Sequence, residues 1–275
     1  MNGIKAKTLV FATMKGGSGK TTLSYNLACM LAEKSKVLCI DIDPQCNLSS
    51  NFCVDIWDEN LMSVADIFEN GEVDPLNVTI FSPLPQLETL DLIPSTIYLY
   101  GTELNLVMKS MREQILTSYM MFHKEFFNFY DYIIIDTPPN FGICTQNCLL
   151  VADHVILVTD PDCNSPRGAD IFINHWNATR KRAGKEDNVD GFIINNVERT
   201  RISSNTIKYI NDHPILSKIK FKTTIPHTTR FKECGDQNLP ITLLKTEKKN
   251  EEVSRQKAET VLRSLLDEMK ERGIV

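Results

Sequence analysis

The chain has 275 residues, 42% hydrophobic and 24% charged, a balance that fits one sizeable α/β domain over residues 1–275 better than a string of modules. No run of about 18 apolar residues occurs and the first residues lead directly into a strand-like segment, which argues against a membrane span or signal sequence and predicts a cytoplasmic protein. The net charge of -5 hides a polarity: residues 1–174 carry 10 Lys+Arg against 21 Asp+Glu, and residues 175–275 carry 20 against 14, which allows either a polyanion-binding face or a solvated mixed-charge surface in the C-terminal part.

Residues 8–13 form a short β-branched and apolar run that ends in a glycine-rich stretch, the pattern of a buried strand. From Lys20, the apolar residues Leu23, Leu27, Met30 and Leu31 recur at helical spacing until Lys34, Ser35 and Lys36 break the pattern before the strand-like residues 37–40. This is a βαβ unit with a glycine-rich first turn. Residues 51–100 are less regular, with Pro75, Pro83, Pro85 and Pro94 marking loops and short edge elements. Strand-length apolar runs return at 132–136, 155–158 and 191–194 with longer segments between them. That alternation predicts a doubly wound, mostly parallel sheet with helices on both faces. Residues 251–272 carry Val253, Val261, Leu262, Leu265, Leu266 and Met269 on one stripe and mixed charges elsewhere, which predicts a terminal helix.

Eight cysteines lie at positions 29, 39, 46, 53, 144, 148, 163 and 234, with no CxxC pair and no histidine spaced to complete a zinc site. They read as buried free thiols, and Cys144 and Cys148 share a helix face.

The chemistry concentrates at the first turn. Lys15-Gly16-Gly17-Ser18-Gly19-Lys20-Thr21-Thr22 lies between a strand and a helix, the setting a phosphate-binding loop requires. Glycines let the backbone curl so that N–H groups face phosphate oxygens, and the helix presents its positive end to the same anion. Lys20 then supplies charge to the β- and γ-phosphates, and the Thr21 hydroxyl is placed to ligate Mg²⁺. Downstream, Asp41 and Asp43 follow the second strand in Asp-Ile-Asp-Pro-Gln-Cys-Asn, and Asp136 ends the hydrophobic run of Tyr-Ile-Ile-Ile-Asp-Thr-Pro-Pro. In-line attack on a γ-phosphorus needs a water positioned by a carboxylate and a cation held near the phosphates, and acids at strand ends suit both tasks.

These segments resemble the deviant Walker A ATPases of the ParA/MinD superfamily. Met14 stands where the plain P-loop pattern has its first glycine, and the Lys15 that follows begins a match to that family's KGGxGKT(T/S) signature throughout. Residues 41–47 resemble its DxDPQGN motif, with Cys46 in the place of glycine, and residues 132–139 resemble its Walker B strand followed by DTPP. The resemblance implies an ATPase that takes ATP and Mg²⁺. In it, Lys15 reaches across an ATP-sandwich homodimer, Asp43 orients or activates the attacking water, and Asp41 and Asp136 support the metal with Thr21. It also places Asn195, and Pro226 in the segment Ile-Pro-His-Thr-Thr-Arg, beside adenine, and aligns Arg230 with a basic position that some members use to hold DNA. Few residues precede the first strand, so the resemblance is to the short, Soj-like form, which lacks a helix-turn-helix extension and binds DNA without sequence preference. The implied function is DNA partition with a ParB-like stimulating partner, in a cytoplasmic, nucleoid-associated protein.

Other users of the same loop fit less well. An iron–sulfur reductase needs a cysteine between the second motif and Walker B, and none lies between Cys53 and Cys144. A bacterial tyrosine kinase needs a C-terminal tyrosine cluster, and the last tyrosine is Tyr209. Small-molecule ligases do not need Lys15. The alternative is a MinD-like membrane-cycling or other cargo-positioning ATPase, but the acids of the terminal helix, Glu251, Glu252, Glu259, Asp267, Glu268 and Glu271, oppose binding to anionic lipid.

Overall fold

The computed structural model describes residues 3–162 and 164–275. In chain order the first half contains β1 (Lys7–Ala12), α1 (Lys20–Ala32), β2 (Val37–Asp41), α2 (Asn47–Asn51), α3 (Val64–Glu69), β3 (Ile80–Phe81), β4 (Leu90–Ile93), α4 (Leu99–Leu106), α5 (Ile115–Phe122) and α6 (Lys124–Phe127). The second half contains β5 (Tyr132–Asp136), α7 (Ile143–Val151), β6 (His154–Thr159), α8 (Ser165–Arg182), β7 (Val189–Ile194), α9 (Arg201–Asp212), α10 (Leu216–Ile219), α11 (Arg230–Gln237) and α12 (Lys249–Glu271). The strands form one sheet in the order β3-β4-β2-β5-β1-β6-β7. Every pairing is parallel except the edge pair of β3 with β4.

The strands are apolar on both faces because helices cover both. Side chains alternate across a strand, so Leu9, Phe11, Cys39, Ile134, Ile156 and Ile193 join one core with residues of α1 and α12. Val10, Leu38, Ile133, Ile135, Val155 and Phe192 join the other, with residues of α3, α5, α7 and α8. Gly191 is small for a packing reason: a Cβ there would lie 2.6 Å from both Ile156 Cδ1 and Phe221 Cε2.

Residues 51–100 hold more than the loops and short edge elements expected from their prolines. Leu90–Ile93 is fully buried and lies beside β2, not at the edge, which falls to the two-residue β3. Its four residues include Asp91 and are followed at once by Pro94, so no apolar run marks it. The Asp91 carboxylate is accommodated by the Tyr130 hydroxyl at 2.8 Å and the Ser82 N–H at 2.9 Å.

Helix α12 spans 23 residues, starting two residues before the predicted 251 and ending one before 272. Its stripe Leu262, Leu265, Leu266 and Met269 is buried, and the helix packs on α1 and α11. Val253 lies off the stripe and is exposed. Arg263 forks onto the Glu33 carboxylate just past α1, with N···O distances of 3.1 and 3.0 Å. No described helix is long and apolar enough to cross a membrane. Among the cysteines, six are buried and free, Cys53 is free but exposed, and Cys163 lies outside the described residues.

Candidate nucleotide site

The loop between β1 and α1 carries two left-handed glycines, Gly17 at φ 79° and Gly19 at φ 80°. Gly19 is the N-cap of α1 and offers no side chain to the first turn, so the N–H groups there have no side-chain cap. It is also in close contact with β7: a Cβ would lie 2.2 Å from Asn195 Nδ2. Loop, glycine and helix end leave a cavity of about 520 Å³ lined by residues 15–22 together with Asp43, Gln45, Asn47, Pro139 and Asn238. Backbone N–H groups and the positive end of a helix make such a hollow fit for polyphosphate.

Lys20 is 5% exposed, with Nζ 2.8 Å from Asp136 Oδ1. Asp136, at the end of β5, also accepts the Thr21 hydroxyl at 2.7 Å and the Ser24 hydroxyl at 2.9 Å. Lysine, hydroxyl and carboxylate are thus gathered at one point, 115 residues apart in sequence for Thr21 and Asp136. Ser24 was not singled out from sequence; its position one turn beyond Lys20 on α1 was the available signal. Among the described residues no three His, Cys, Asp or Glu side chains gather into a metal cage. A threonine and one carboxylate nevertheless suit Mg²⁺, which keeps several waters and takes its remaining ligands from phosphate.

Asp41 and Asp43 divide their tasks. Asp41 is fully buried, its Oδ1 accepting the Asp43 N–H at 3.1 Å and its Oδ2 the Ser49 N–H and hydroxyl at 2.9 and 2.8 Å. Burial first, and the Asp136 charge second, push its carboxyl up to about 7. Both oxygens being engaged by protein donors, Asp41 shapes the turn that carries Asp43 and does not face the cavity as a free ligand. Asp43 lines the cavity and is 5% exposed, with one oxygen accepting the Gln45 N–H at 2.9 Å. Burial raises its carboxyl above the ordinary range, against the lowering pull of the Gln45 N–H and the Lys20 charge. A carboxylate with raised proton affinity beside a phosphate cavity suits a general base. Cys46 replaces glycine in the same turn at φ 55°, a left-handed conformation costly for a side chain, and it is completely buried.

A second cavity, of about 160 Å³, shares Gly17, Gly19 and Thr22 with the first and is closed by Asn195, Asn196, His227, Thr228, Phe231 and Lys232. Asn195 donates to the Ser18 carbonyl at 2.7 Å, while its Oδ1 is buried and accepts nothing. That orphaned acceptor fits the exocyclic amine of adenine. Pro226 is placed differently from the sequence expectation: it is exposed and absent from the lining, whereas the next two residues belong to it. Lacking an N–H, Pro226 sits between two backbone bonds, Val197 N–H to Ile225 O at 2.9 Å and His227 N–H to Val197 O at 3.0 Å. Phe231 and Lys232 were missed because the loose match to the family segment drew attention to Arg230.

Arg230 also departs from expectation. Its side chain is only 13% exposed and is paired with Glu233 one turn along α11, so it is not presented to solvent as a DNA contact would be. The i,i+3 spacing on the helix makes that pairing local.

Lys15 and Lys20 do not converge within one chain. Lys15 is 47% exposed, and its Nζ binds Asp160 at 2.8 Å and also Asp162, both just beyond β6. The Lys15 charge, with the Ser165 hydroxyl and Asn164 N–H, overcomes burial and holds the Asp162 carboxyl down at about 2. Asp160 and Asp162 stand two residues apart beside a strand end, as Asp41 and Asp43 do, a parallel that could have flagged them.

The mostly parallel sheet, the glycine loop between an interior strand and a helix, and the Lys20–Thr21–Asp136 cluster define a P-loop nucleotide-binding protein. Residues 6–189 match the family model described as an AAA domain, AAA_31. The sporulation initiation inhibitor protein Soj of Bacillus subtilis is 32% identical over 249 residues, covering 90% of this chain and 94% of Soj. The chromosome partitioning protein ParA of Myxococcus xanthus is 28% identical, covering 86% of this chain and 81% of its own. A solved structure of Cyanothece McdA, an aspartate-to-alanine variant in complex with ATP, superposes with a TM-score of 0.82 over 98% of both chains at 20% identity, a likeness of fold. The chain belongs to the Soj/ParA family of partition ATPases.

Proposed function

We propose that this protein is a Mg²⁺-dependent ATPase for DNA segregation that dimerises on ATP, binds DNA without sequence preference as a dimer, and releases it when a ParB-like partner stimulates slow hydrolysis. The observation that carries the reading is the pair of lysines with different surroundings: Lys20 buried against Asp136, Lys15 half-exposed and held only by carboxylates at the molecular surface. Exposed ion pairs contribute about 0–1 kcal/mol, so Lys15 can exchange Asp160 and Asp162 for the phosphates of a partner's nucleotide at little cost.

In this reading, the glycine loop and α1 hold the triphosphate, Lys20 turns from Asp136 to the β- and γ-oxygens, and Asn195 takes the base. Mg²⁺, held by the Thr21 hydroxyl and through water by Asp136, would neutralise charge that develops on the phosphates. Asp43 orients the attacking water and accepts its proton as the new P–O bond forms and the β–γ bridging bond breaks. Asp41 keeps the Asp43 backbone in place through its 3.1 Å contact.

The test is retention of the protein on non-specific duplex DNA at low salt with ATP and Mg²⁺, with ADP, and without nucleotide. Greater retention with ATP alone supports the reading; equal retention in all three conditions removes DNA from it. In the same assay Lys20→Ala should fall to the nucleotide-free level, with ATP affinity lowered by about 2–5 kcal/mol in calorimetry because the β- and γ-phosphates lose their charged partner.

A further inference from the structure

We propose that the groove between α3 and α5 docks a cationic amphipathic helical segment of a partner protein. The groove encloses about 430 Å³ and is floored by Phe68, Ile115 and Tyr119, with Met111 and Phe122 standing at its lip. Met111 and Phe122 are 68% and 75% exposed, unusual for large apolar side chains on the same rim of a hollow. Tyr119 is 1% exposed, yet its hydroxyl is buried without a hydrogen-bond partner, so the floor holds a polar group that the chain itself leaves unsatisfied.

Charge decides which partner fits. Between Lys36 and Lys109 the sequence contains no Lys, Arg or His but 12 Asp and Glu. Three of these acids, Glu69, Glu72 and Asp74, are exposed at the α3 end of the groove or just beyond it. Lys109, the single base among the described lining residues, is tied to the α3 end by its Nζ, which donates to the carbonyls of Phe68 at 3.0 Å and Glu69 at 2.8 Å, and it is outnumbered by the acids there. An acid-rimmed apolar groove between helices repels nucleic acid and anionic lipid, and it favours a helix with Leu- or Phe-like anchors flanked by Lys or Arg.

The groove is also joined to the catalytic loop. Glu69 accepts the Thr102 hydroxyl at 2.7 Å. The next residue, Glu103, packs so tightly on Gly142 that a Cβ there would lie 2.4 Å from its Oε1. Gly142 follows Asp136 and the cavity-lining Pro139 on the loop leading into α7. A cation that paired with Glu69 would compete with Thr102 and reach the catalytic loop through α4.

Docking stands apart from the ATPase reading, so it is measured without nucleotide. The probe is a fluorescein-labelled peptide of leucine and lysine at amphipathic helical spacing, titrated with the full chain and followed by anisotropy; its counterpart has glutamate in place of lysine. Saturable binding of the lysine peptide, weakened about tenfold by Phe122→Ser and by Glu72→Lys with unchanged circular dichroism, is the expected result. Equal affinity for both variants, equal binding of the glutamate peptide, or no saturation overturns the proposal. So does concentration-dependent self-association that Phe122→Ser abolishes, since it assigns the groove to a second copy of this chain.

Discussion

Single atoms decide much at this site. Gly19 combines a left-handed φ with a 2.2 Å approach to Asn195, so Gly19→Ala meets both backbone strain and a clash with a side chain that is itself bonded to Ser18. The loop must shift, and ATP affinity measured by calorimetry should fall at least about tenfold. Asp43 carries the other residue-scale prediction. Asp43→Asn keeps the size of the side chain and its Gln45 contact but removes the proton acceptor, so single-turnover hydrolysis should slow by about 10²–10⁴ with ATP binding preserved. Parental turnover in that variant would remove Asp43 from its role. These residues were legible because sequence order fixed them beside one another; Asn195 was legible only through family resemblance, since a strand-end asparagine has no signature of its own.

Among the elements, α12 shows how a pattern acquires meaning from its surroundings. An amphipathic terminal helix can serve a membrane or a core, and the buried stripe of Leu262, Leu265, Leu266 and Met269 assigns this one to the core. Leu265→Ala should therefore lower unfolding free energy by about 2–5 kcal/mol in urea denaturation. The helix has a second task, because Glu268 accepts the N–H groups of Lys222 and Thr223 at 2.8 and 3.0 Å and so holds the segment leading to the base cavity. The strand β4 illustrates the opposite case: four residues with an internal aspartate give no periodic signal, and only neighbouring β2, together with Tyr130, makes Leu90–Ile93 a buried strand.

For the molecule as a whole, the proposed switch predicts a division between the two lysines. Lys15→Ala leaves Lys20 and the rest of the cavity lining in place, so ATP binding should stay within a few-fold of the parent. The ATP-dependent dimer, followed by light scattering, should be lost, and DNA retention with it; a dimer of parental stability in Lys15→Ala would refute a crossing lysine. Where DNA is retained, the logarithm of its affinity should fall linearly with the logarithm of salt concentration, since each neutralised phosphate releases counterions. Arg230 could contribute only by exchanging its Glu233 partner for a phosphate.

Sequence by itself determined the alternation of strands and helices and the phosphate loop, because hydrophobic period and glycine placement are local properties of the chain. It also fixed the order of Lys20, Asp43 and Asp136. Tertiary structure alone decided that Asp41 is buried with both oxygens engaged, that Pro226 lies beside and not within the second cavity, that Lys15 rests on Asp160 and Asp162, and that Arg230 is paired. Each of those outcomes depends on where a side chain's polar atoms find partners. The partners of Asp136, Lys15 and Asn195 come from segments more than a hundred residues away, and no local pattern records them.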